Sequence, residues 1–299
     1  MILSVCIITK NEAANIIACM KDAWKVADEV VVMDTGSTDE TVEFAEHYGA
    51  KIGHCQWTND FSAARNASLD LASGHWIFWM DADDRLPDES AAWINRFKME
   101  WPDKAFTFMC VNKAPCGMLP EYEAGSWQIR MFPRRADLRF VHRIHEQILP
   151  ALQAGGVPVV KASDRVVIDH LGYQNADVLL AKRRRNNLLR LAQEYGWDLS
   201  LPIKTFKLFD CECYFNGRQL AVWHETTFVG VGTPPGGEQA DIMSAAIQAV
   251  VKWRSSQPYL GVQSCLDELE RAIGVGGASA LPARSLSFTP EEVLYGQAG

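Results

Sequence analysis

The chain has 299 residues, of which 48% are hydrophobic, and a formal net charge of −8. This length and apolar content predict one large α/β domain with an appended part. The acidic balance argues against bulk binding to nucleic acid or to an anionic membrane, and no apolar run approaches the roughly 18 residues of a transmembrane helix. The eight Cys form no C-x-x-C pair, and the first residues lack the charged and apolar regions of a signal peptide. We therefore expect no leader peptide and reduced thiols in a cytoplasmic protein.

Four strand-and-helix units are predicted in about the first 85 residues. Apolar, β-branched runs predict strands at 3–9, 29–33 and 76–80, and helical spacing of apolar residues predicts helices at 16–24, 42–48 and 61–72. Residues 49–53 are expected to end the second helix and begin a further strand. Because strands alternate with helices, the pattern indicates a parallel, doubly wound sheet. No G-x-G-x-x-G follows the first strand and no P-loop motif occurs, which argues against a dinucleotide-binding dehydrogenase and a P-loop phosphotransferase.

The fourth strand runs directly into the acids Asp81, Asp83 and Asp84. Unpaired ionised carboxylates cannot be buried inside a strand at reasonable cost, so these acids are expected just past its C-terminal end. In open α/β sheets that end faces the ligand crevice. Two carboxylates in an Asp-x-Asp pattern are hard oxygen ligands suited to Mg²⁺ or Mn²⁺ together with substrate phosphates. The alternative is an ordinary turn that caps the following helix.

Beyond Asp84 the pattern is looser. It predicts a helix at 87–101, a strand at 104–111, a loop at 115–123, strands at 127–133 and 166–173, a basic amphipathic helix beginning at 182, a helix at 206–217, a Gly/Pro linker at 230–237, and helices at 240–254 and 264–273. We therefore expect a catalytic domain at 1–216 and a helical C-terminal extension at 217–299, which ends in a loosely held tail.

Four segments, at 8–12, 31–41, 61–66 and 79–84, occur in an order that resembles the nucleotide-binding half of the family 2 glycosyltransferases with the GT-A fold. The similarity is greatest to bacterial members that often carry helical repeats after the catalytic domain, a group that neighbours the peptide S-glycosyltransferases. It covers roughly residues 2–215. The resemblance implies a mostly parallel sheet flanked by helices, with a nucleotide-sugar site along its edge.

The resemblance also implies roles for single residues in the donor site. Thr9, Glu12 and Asp34 would hold a uridine-type base and its ribose. The remaining donor-site positions are Arg65 near the diphosphate, Asp81 at the ribose or the metal, Ala82 between the two acids, and Asp83 as principal metal ligand. From the residues alone, Asp34 also fits a capped strand-to-helix turn, and Arg65 fits a salt bridge to a nearby acid.

Two later segments, 140–148 and 166–173, resemble elements of the bacterial subgroup. In that family the first of them faces the acceptor. Glu146 is the candidate catalytic base and Asp84 the reserve, because an inverting transferase needs a group that removes the acceptor proton. His170 is the candidate third metal ligand, and His145 competes for that role. The alternatives are a surface pair of His142 with Glu146, and a purely structural role for His170.

The sequence thus predicts a metal-dependent, inverting glycosyltransferase that uses a UDP-sugar and Mn²⁺ or Mg²⁺. The acceptor would be a glycan, a lipid-linked sugar or a peptide, and a homo-oligomer is possible. The basic run at 182–185 either closes over the diphosphate or forms a solvated helix face. Two other functions stay open: a sugar-nucleotide pyrophosphorylase, which would want a Gly- and Arg-containing loop after the first strand, and a non-catalytic binding module on the same fold.

Overall fold

The computed structural model describes residues 1–113, 125–172, 176–208, 211–224, 227–232, 234, 239–255 and 286–288. The chain divides into two compact units, Met1–Leu179 and Leu180–Gly299. This division falls earlier than the expected boundary at 216/217. Within the described ranges, every helix is too short or too polar to traverse a lipid bilayer.

The first unit is an α/β domain built on one mixed sheet. Its strands are β1 (Leu3–Thr9), β2 (Glu29–Asp34), β3 (Lys51–His54), β4 (Trp76–Asp81), β5 (Asp84–Arg85), β6 (Ala105–Asn112), β7 (Gly125–Pro133), β8 (Val159–Lys161) and β9 (Val167–His170). Its helices are α1 (Ala13–Ala23), α2 (Thr41–His47), α3 (Phe61–Leu71), α4 (Asp88–Phe97) and α5 (Leu149–Ala154). The predicted α/β class is confirmed.

The strand order is β3-β2-β1-β4-β7-β6-β9-β5, and β8 pairs with β6. The four strands β3, β2, β1 and β4 are mutually parallel, as predicted. In the second half, β7 runs antiparallel to both β4 and β6, while β9 runs parallel to β6. The predicted loop at 115–123 and Tyr173 lie outside the described residues.

Alternating side chains of the central strands supply two cores, one on each face of the sheet. Val5 and Ile7 of β1 join a cluster with residues of α1 and α4, whereas Cys6 joins a second cluster with Leu69 of α3. Both clusters are closed to solvent. Strand β1 is therefore buried on both faces, as its continuous apolar run predicted.

Helix α6 (Ala176–Tyr195) begins before the predicted start at 182 and crosses the division between the units. The second unit contains β10 (Ile203–Leu208), β11 (Cys211–Phe215), β12 (Leu220–His224), β13 (Thr227–Gly232), β14 (Leu286–Phe288) and α7 (Gln239–Ser255). These strands form an antiparallel sheet in the order β13-β12-β11-β10-β14. Helix α7 packs Ile242, Ala246 and Val250 into its core.

The second unit corrects three sequence predictions. The predicted helix at 206–217 is wrong, because residues 206–208 belong to β10 and residues 211–215 form β11, and these two strands pair antiparallel. The predicted linker at 230–237 begins too early, since β13 continues to Gly232. The extension is therefore not purely helical. The helix predicted at 240–254 is confirmed as α7, and the one predicted at 264–273 lies outside the described residues.

Candidate functional site

The candidate site lies along the edge where β1, β2 and β4 end. The parallel register sets Thr9 opposite Asp34 and Ile8 opposite Asp81. Parallel strands bring their carboxyl ends to one edge of the sheet, so residues far apart in sequence meet there. The structure thus brings together the strand-end positions that the sequence singled out.

The acids after β4 form a tight turn. Asp81 ends β4, the chain reverses through Ala82 and Asp83, and Asp84 begins β5. The Asp81 backbone N–H donates a hydrogen bond to Asp84 Oδ2 at 2.8 Å, which closes the turn. Strand β5 pairs antiparallel with β9, and this register sets Asp84 opposite His170. The late His predicted as a metal ligand therefore lies beside the acids.

One group of described residues has the composition of a metal site. Ligand atoms of Asp81, Asp83, Asp84 and His170 all lie within 4.8 Å of one another. Carboxylate oxygens suit Mg²⁺ and Mn²⁺, and an imidazole nitrogen is a common further ligand. The donor set therefore fits a divalent cation. His145 is not a member of this group and its side chain is exposed on the 141–147 segment.

Arg65 of α3 links the acid cluster to the acceptor-side segment. Its Nε donates to Glu146 Oε1 at 2.7 Å, and its Nη2 donates to Asp81 Oδ1 at 2.9 Å. The guanidinium carbon lies 3.9 Å from a ring centroid of Trp79. The predicted alternative, a salt bridge to a nearby acid, is thus present in the structure, and two carboxylates share one buried cation.

Arg130 of β7 is a member of the site that the sequence analysis missed. Its Nη1 donates to Asp84 Oδ2 at 2.9 Å, and its Nη2 lies 3.8 Å from Asp81 Oδ2. The guanidinium carbon lies 3.6 Å from a ring centroid of Trp79, which also contacts Arg65. The sequence did contain a sign of this role: Arg130 is a single cation between Ile129 and Met131, and a charge inside an apolar strand requires a buried partner.

Glu146 reaches Arg65 because its segment is tied to α3. Asn66 bonds the Phe140 backbone twice: Nδ2 donates to the carbonyl oxygen at 3.0 Å, and Oδ1 accepts from the amide at 2.8 Å. The Ser62 hydroxyl donates to the His142 carbonyl oxygen at 2.6 Å. Glu146 is therefore not part of a surface pair with His142, the alternative considered from the sequence. Its side chain is 13% exposed and is bonded to Arg65.

The loop after β2 holds Asp34 at the other end of the edge. Its carboxylate accepts hydrogen bonds from the amides of Gly36 and Ser37, at 3.0 and 3.1 Å. Gly36 has a φ of 106°, which glycine adopts without steric cost. Thr9 is buried, and within the described part of the chain its Oγ1 has no hydrogen-bond partner. A buried hydroxyl in that state is open to a bond from a ligand.

The loop after β1 is bonded to the loop after β2. The Asn11 amide donates to Ser37 Oγ at 2.9 Å, and Asn11 Oδ1 accepts from the Thr38 amide at 2.8 Å. The Glu12 amide donates to Thr41 Oγ1 at 2.7 Å. Glu12 therefore lies on a loop that hydrogen bonds hold against the loop after β2, at the end of the site predicted to bind the base.

Charges at the acid cluster shift its pKa values in opposite directions. Burial raises the pKa of Asp81, but Arg65, Arg130 and His170 outweigh burial and hold that pKa well below the usual range. Burial lowers the pKa of His170, but the hydrogen bond to Asp84 and the nearby charges of Asp83 and Asp81 outweigh it and raise the pKa. A bound cation would compete with that proton.

The chain is thus an α/β domain whose acids lie at the edge of the sheet where open α/β sheets bind ligands. Residues 4–106 match the model of the family described as Glycosyl transferase family 2. The matched residues include Thr9, Asp34, Arg65, Asp81 and Asp83. The resemblance inferred from the sequence is confirmed.

Individual relatives match parts of the chain. A TPR repeat-containing protein of Synechococcus elongatus is 36% identical over 153 residues, which cover 51% of this chain and 36% of that protein. The SPbeta prophage-derived glycosyltransferase SunS of Bacillus subtilis is 28% identical over 145 residues, 47% of this chain and 33% of that protein. The matches thus span about a third of the length of these curated relatives.

Among solved structures, glucosyl-3-phosphoglycerate synthase from Mycobacterium tuberculosis, in complex with Mn²⁺, UDP and glucosyl-3-phosphoglycerate, aligns with a TM-score of 0.43 at 17% identity. The alignment covers 69% of this chain and 84% of that chain.

Proposed function

We propose that this protein transfers a sugar from a nucleotide-diphosphate donor, of the UDP type, to an acceptor with the help of a divalent cation. The observation that carries the proposal is the meeting of Asp81 and Asp83 with His170 at the strand ends of a family 2 glycosyltransferase segment. A nucleotide diphosphate needs charge neutralisation at its phosphates, and these residues offer ligands for a cation in that place.

Asp83 and His170 would hold Mn²⁺ or Mg²⁺, with Asp81 beside them. Asp83 Oδ1 and His170 Nδ1 are already 3.4 Å apart. Two buried guanidinium groups pair with the carboxylates of Asp81, Asp84 and Glu146. Asp83 adds a fourth carboxylate beside His170, so the carboxylates outnumber the guanidinium groups, which favours a cation. The bound ion would act as a Lewis acid toward the leaving diphosphate.

The nucleoside end of the donor would lie against the loops after β1 and β2. Thr9 offers a buried hydroxyl without a partner in the described structure, and Asp34 lies beside it in the sheet register. Glu12 lies on the loop that is bonded to Thr41. Hydroxyl and carboxylate groups match the N–H and O–H donors and the carbonyl acceptors of a uracil base and ribose.

Glu146 is our candidate for the group that takes the acceptor proton in an inverting transfer. Arg65 fixes its carboxylate by a 2.7 Å bond and keeps it near the cluster. Asp84, the reserve candidate, is fully buried, and its oxygens are bonded to Arg130, to the Asp81 amide and to His170. A base must reach the acceptor hydroxyl or thiol, so the position of Asp84 favours Glu146. The acceptor would be a glycan, a lipid-linked sugar or a peptide.

The test is a donor-hydrolysis screen with Mn²⁺, using UDP-glucose, UDP-GlcNAc, UDP-galactose and GDP-mannose. We expect selective release of a nucleotide diphosphate by the wild type and its loss in Asp83→Ala. Asp137→Ala is the matched control, because Asp137 is an exposed carboxylate paired with Arg135. The proposal fails if no donor is hydrolysed and no nucleotide binds in a metal-dependent way. Metal-dependent binding without hydrolysis would support a non-catalytic module.

A further inference from the structure

Asp84 is fully buried, and three groups inside the protein bind its carboxylate. Oδ2 accepts from the Asp81 amide at 2.8 Å and from Arg130 Nη1 at 2.9 Å. Oδ1 lies 2.9 Å from His170 Nδ1. Both oxygens of Asp84 are therefore bonded within the fold.

Arg130 supplies the positive charge that such a carboxylate needs. Its side chain is 2% exposed, and its guanidinium group lies over Trp79. A buried carboxylate is tolerated where a cation and hydrogen bonds replace its hydration. The planar guanidinium group can stack on the indole and donate to Asp84 at the same time, which a lysine ammonium cannot do.

The contact with Asp84 has a consequence for the imidazole of His170. The contact between His170 Nδ1 and Asp84 Oδ1 fixes the ring in one orientation beside the acids. The separation between Nδ1 and Asp83 Oδ1 is longer, at 3.4 Å. A carboxylate that orients a metal-binding histidine in this way is a known outer-shell arrangement.

We propose that Arg130 is a positioning residue: acting through Asp84, it fixes the His170 ring beside Asp83 at the cation site. This inference rests on the proposed function, because it concerns the same cation site. It gives Asp84 an orienting role in place of metal ligation or proton abstraction. It also explains why a cation occupies the middle of β7, far in sequence from the Asp-x-Asp motif.

The experiment measures Mn²⁺ binding in the presence of UDP by electron paramagnetic resonance, together with the ¹⁴N hyperfine coupling of the bound ion. The variants are Arg130→Met and Arg130→Lys, with Arg139→Met as matched control, because Arg139 pairs with Asp70 at the surface. We expect the wild type to show a nitrogen coupling that His170→Gln abolishes. In Arg130→Met, Mn²⁺ affinity should fall by about 10- to 100-fold, the usual effect of losing an outer-shell partner, and the nitrogen coupling should weaken.

The direction of the change in Mn²⁺ affinity distinguishes a positioning role of Arg130 from a purely electrostatic effect of its charge. Removal of a nearby cation strengthens the binding of a divalent ion by electrostatics alone, so a loss of affinity reports a misplaced ligand. Unchanged or increased affinity with an unchanged nitrogen coupling would overturn the proposal. If Arg130→Met does not fold, the test uses Arg130→Lys. Mn²⁺ affinity and nitrogen coupling equal to those of the wild type in Arg130→Lys would also overturn the proposal.

The two proposals can fail separately. If the wild type binds no Mn²⁺ in the presence of UDP, the proposed cation site is wrong, and the positioning role is wrong with it. If the wild type binds Mn²⁺ with a nitrogen coupling that is insensitive to Arg130, only the positioning role is wrong.

Discussion

Replacement of Asn66 by alanine should loosen the segment that carries Glu146. The Asn66 amide group satisfies both the N–H and the C=O of Phe140, at 2.8 and 3.0 Å. Phe140 is 4% exposed, so water cannot readily replace these two bonds. Each buried polar group left unsatisfied costs about 1–3 kcal/mol, so the loss of both bonds in Asn66→Ala should lower the free energy of unfolding by about 2–6 kcal/mol.

Urea denaturation followed by tryptophan fluorescence measures this change. Asn95→Ala is the matched control, because Asn95 makes one exposed bond, from Nδ2 to the Lys25 carbonyl oxygen. We expect the control to lose about 0.5 kcal/mol or less, as is usual for surface substitutions. If Asn66→Ala and Asn95→Ala are equally mild, the two bonds to Phe140 do not hold the segment against α3, and the account of how Glu146 is placed is wrong.

Two further predictions concern the fold. Phe78→Ala should cost about 3–5 kcal/mol in urea denaturation, because Phe78 is fully buried and packs edge-to-face against Phe108; a cost below 1 kcal/mol would contradict the packing. Burial raises the pKa of Glu29, but hydrogen bonds from Ser4 and Ser73 outweigh burial and lower it below its usual 4.5. A lowered pKa stabilises the fold above pH 4.5, and this contribution is lost as the pH falls further. The stability advantage of the wild type over Glu29→Gln should therefore shrink between pH 7 and pH 3.5 in urea denaturation, and a constant difference would contradict it.

The first half of the domain could be predicted because local pattern and tertiary environment agree there. Strands such as β1 and β4 are buried on both faces, so their apolar runs are continuous and their ends are marked by Thr9 and Asp81. Short polar turns and amphipathic helices separate them. The apolar runs, the turns and the helical spacing thus all indicate the same βα units.

The site was only partly predictable, because its acids are consecutive in sequence while its cations are not. Asp81 and Asp83 are visible as a motif, but Arg130 reaches them through the pairing of β7 with β4. That pairing is antiparallel and joins segments about 50 residues apart, which no local pattern specifies. The buried position of Asp84 likewise depends on the pairing of β5 with β9.

The second unit shows where periodicity is ambiguous. Residues 206–217 contain closely spaced apolar side chains that also fit helical spacing. In the structure, residues 206–208 end one short strand and residues 211–215 form the next. Cys211, Cys213 and Phe215 pack in the core with Ile242 of α7. Short apolar runs do not distinguish a helix from a strand, so the packing partner decides.

Metal-dependent binding of UDP tests the central claim most directly. Isothermal titration calorimetry would compare the wild type, Asp83→Ala and the exposed control Asp137→Ala, each with Mn²⁺ and with EDTA. The account predicts that the wild type and Asp137→Ala bind UDP with Mn²⁺ and bind it at least tenfold more weakly with EDTA, a difference of about 1.4 kcal/mol. Asp83→Ala should show no such difference. Equal UDP binding with Mn²⁺ and with EDTA in the wild type would contradict a cation site formed by Asp83 and His170.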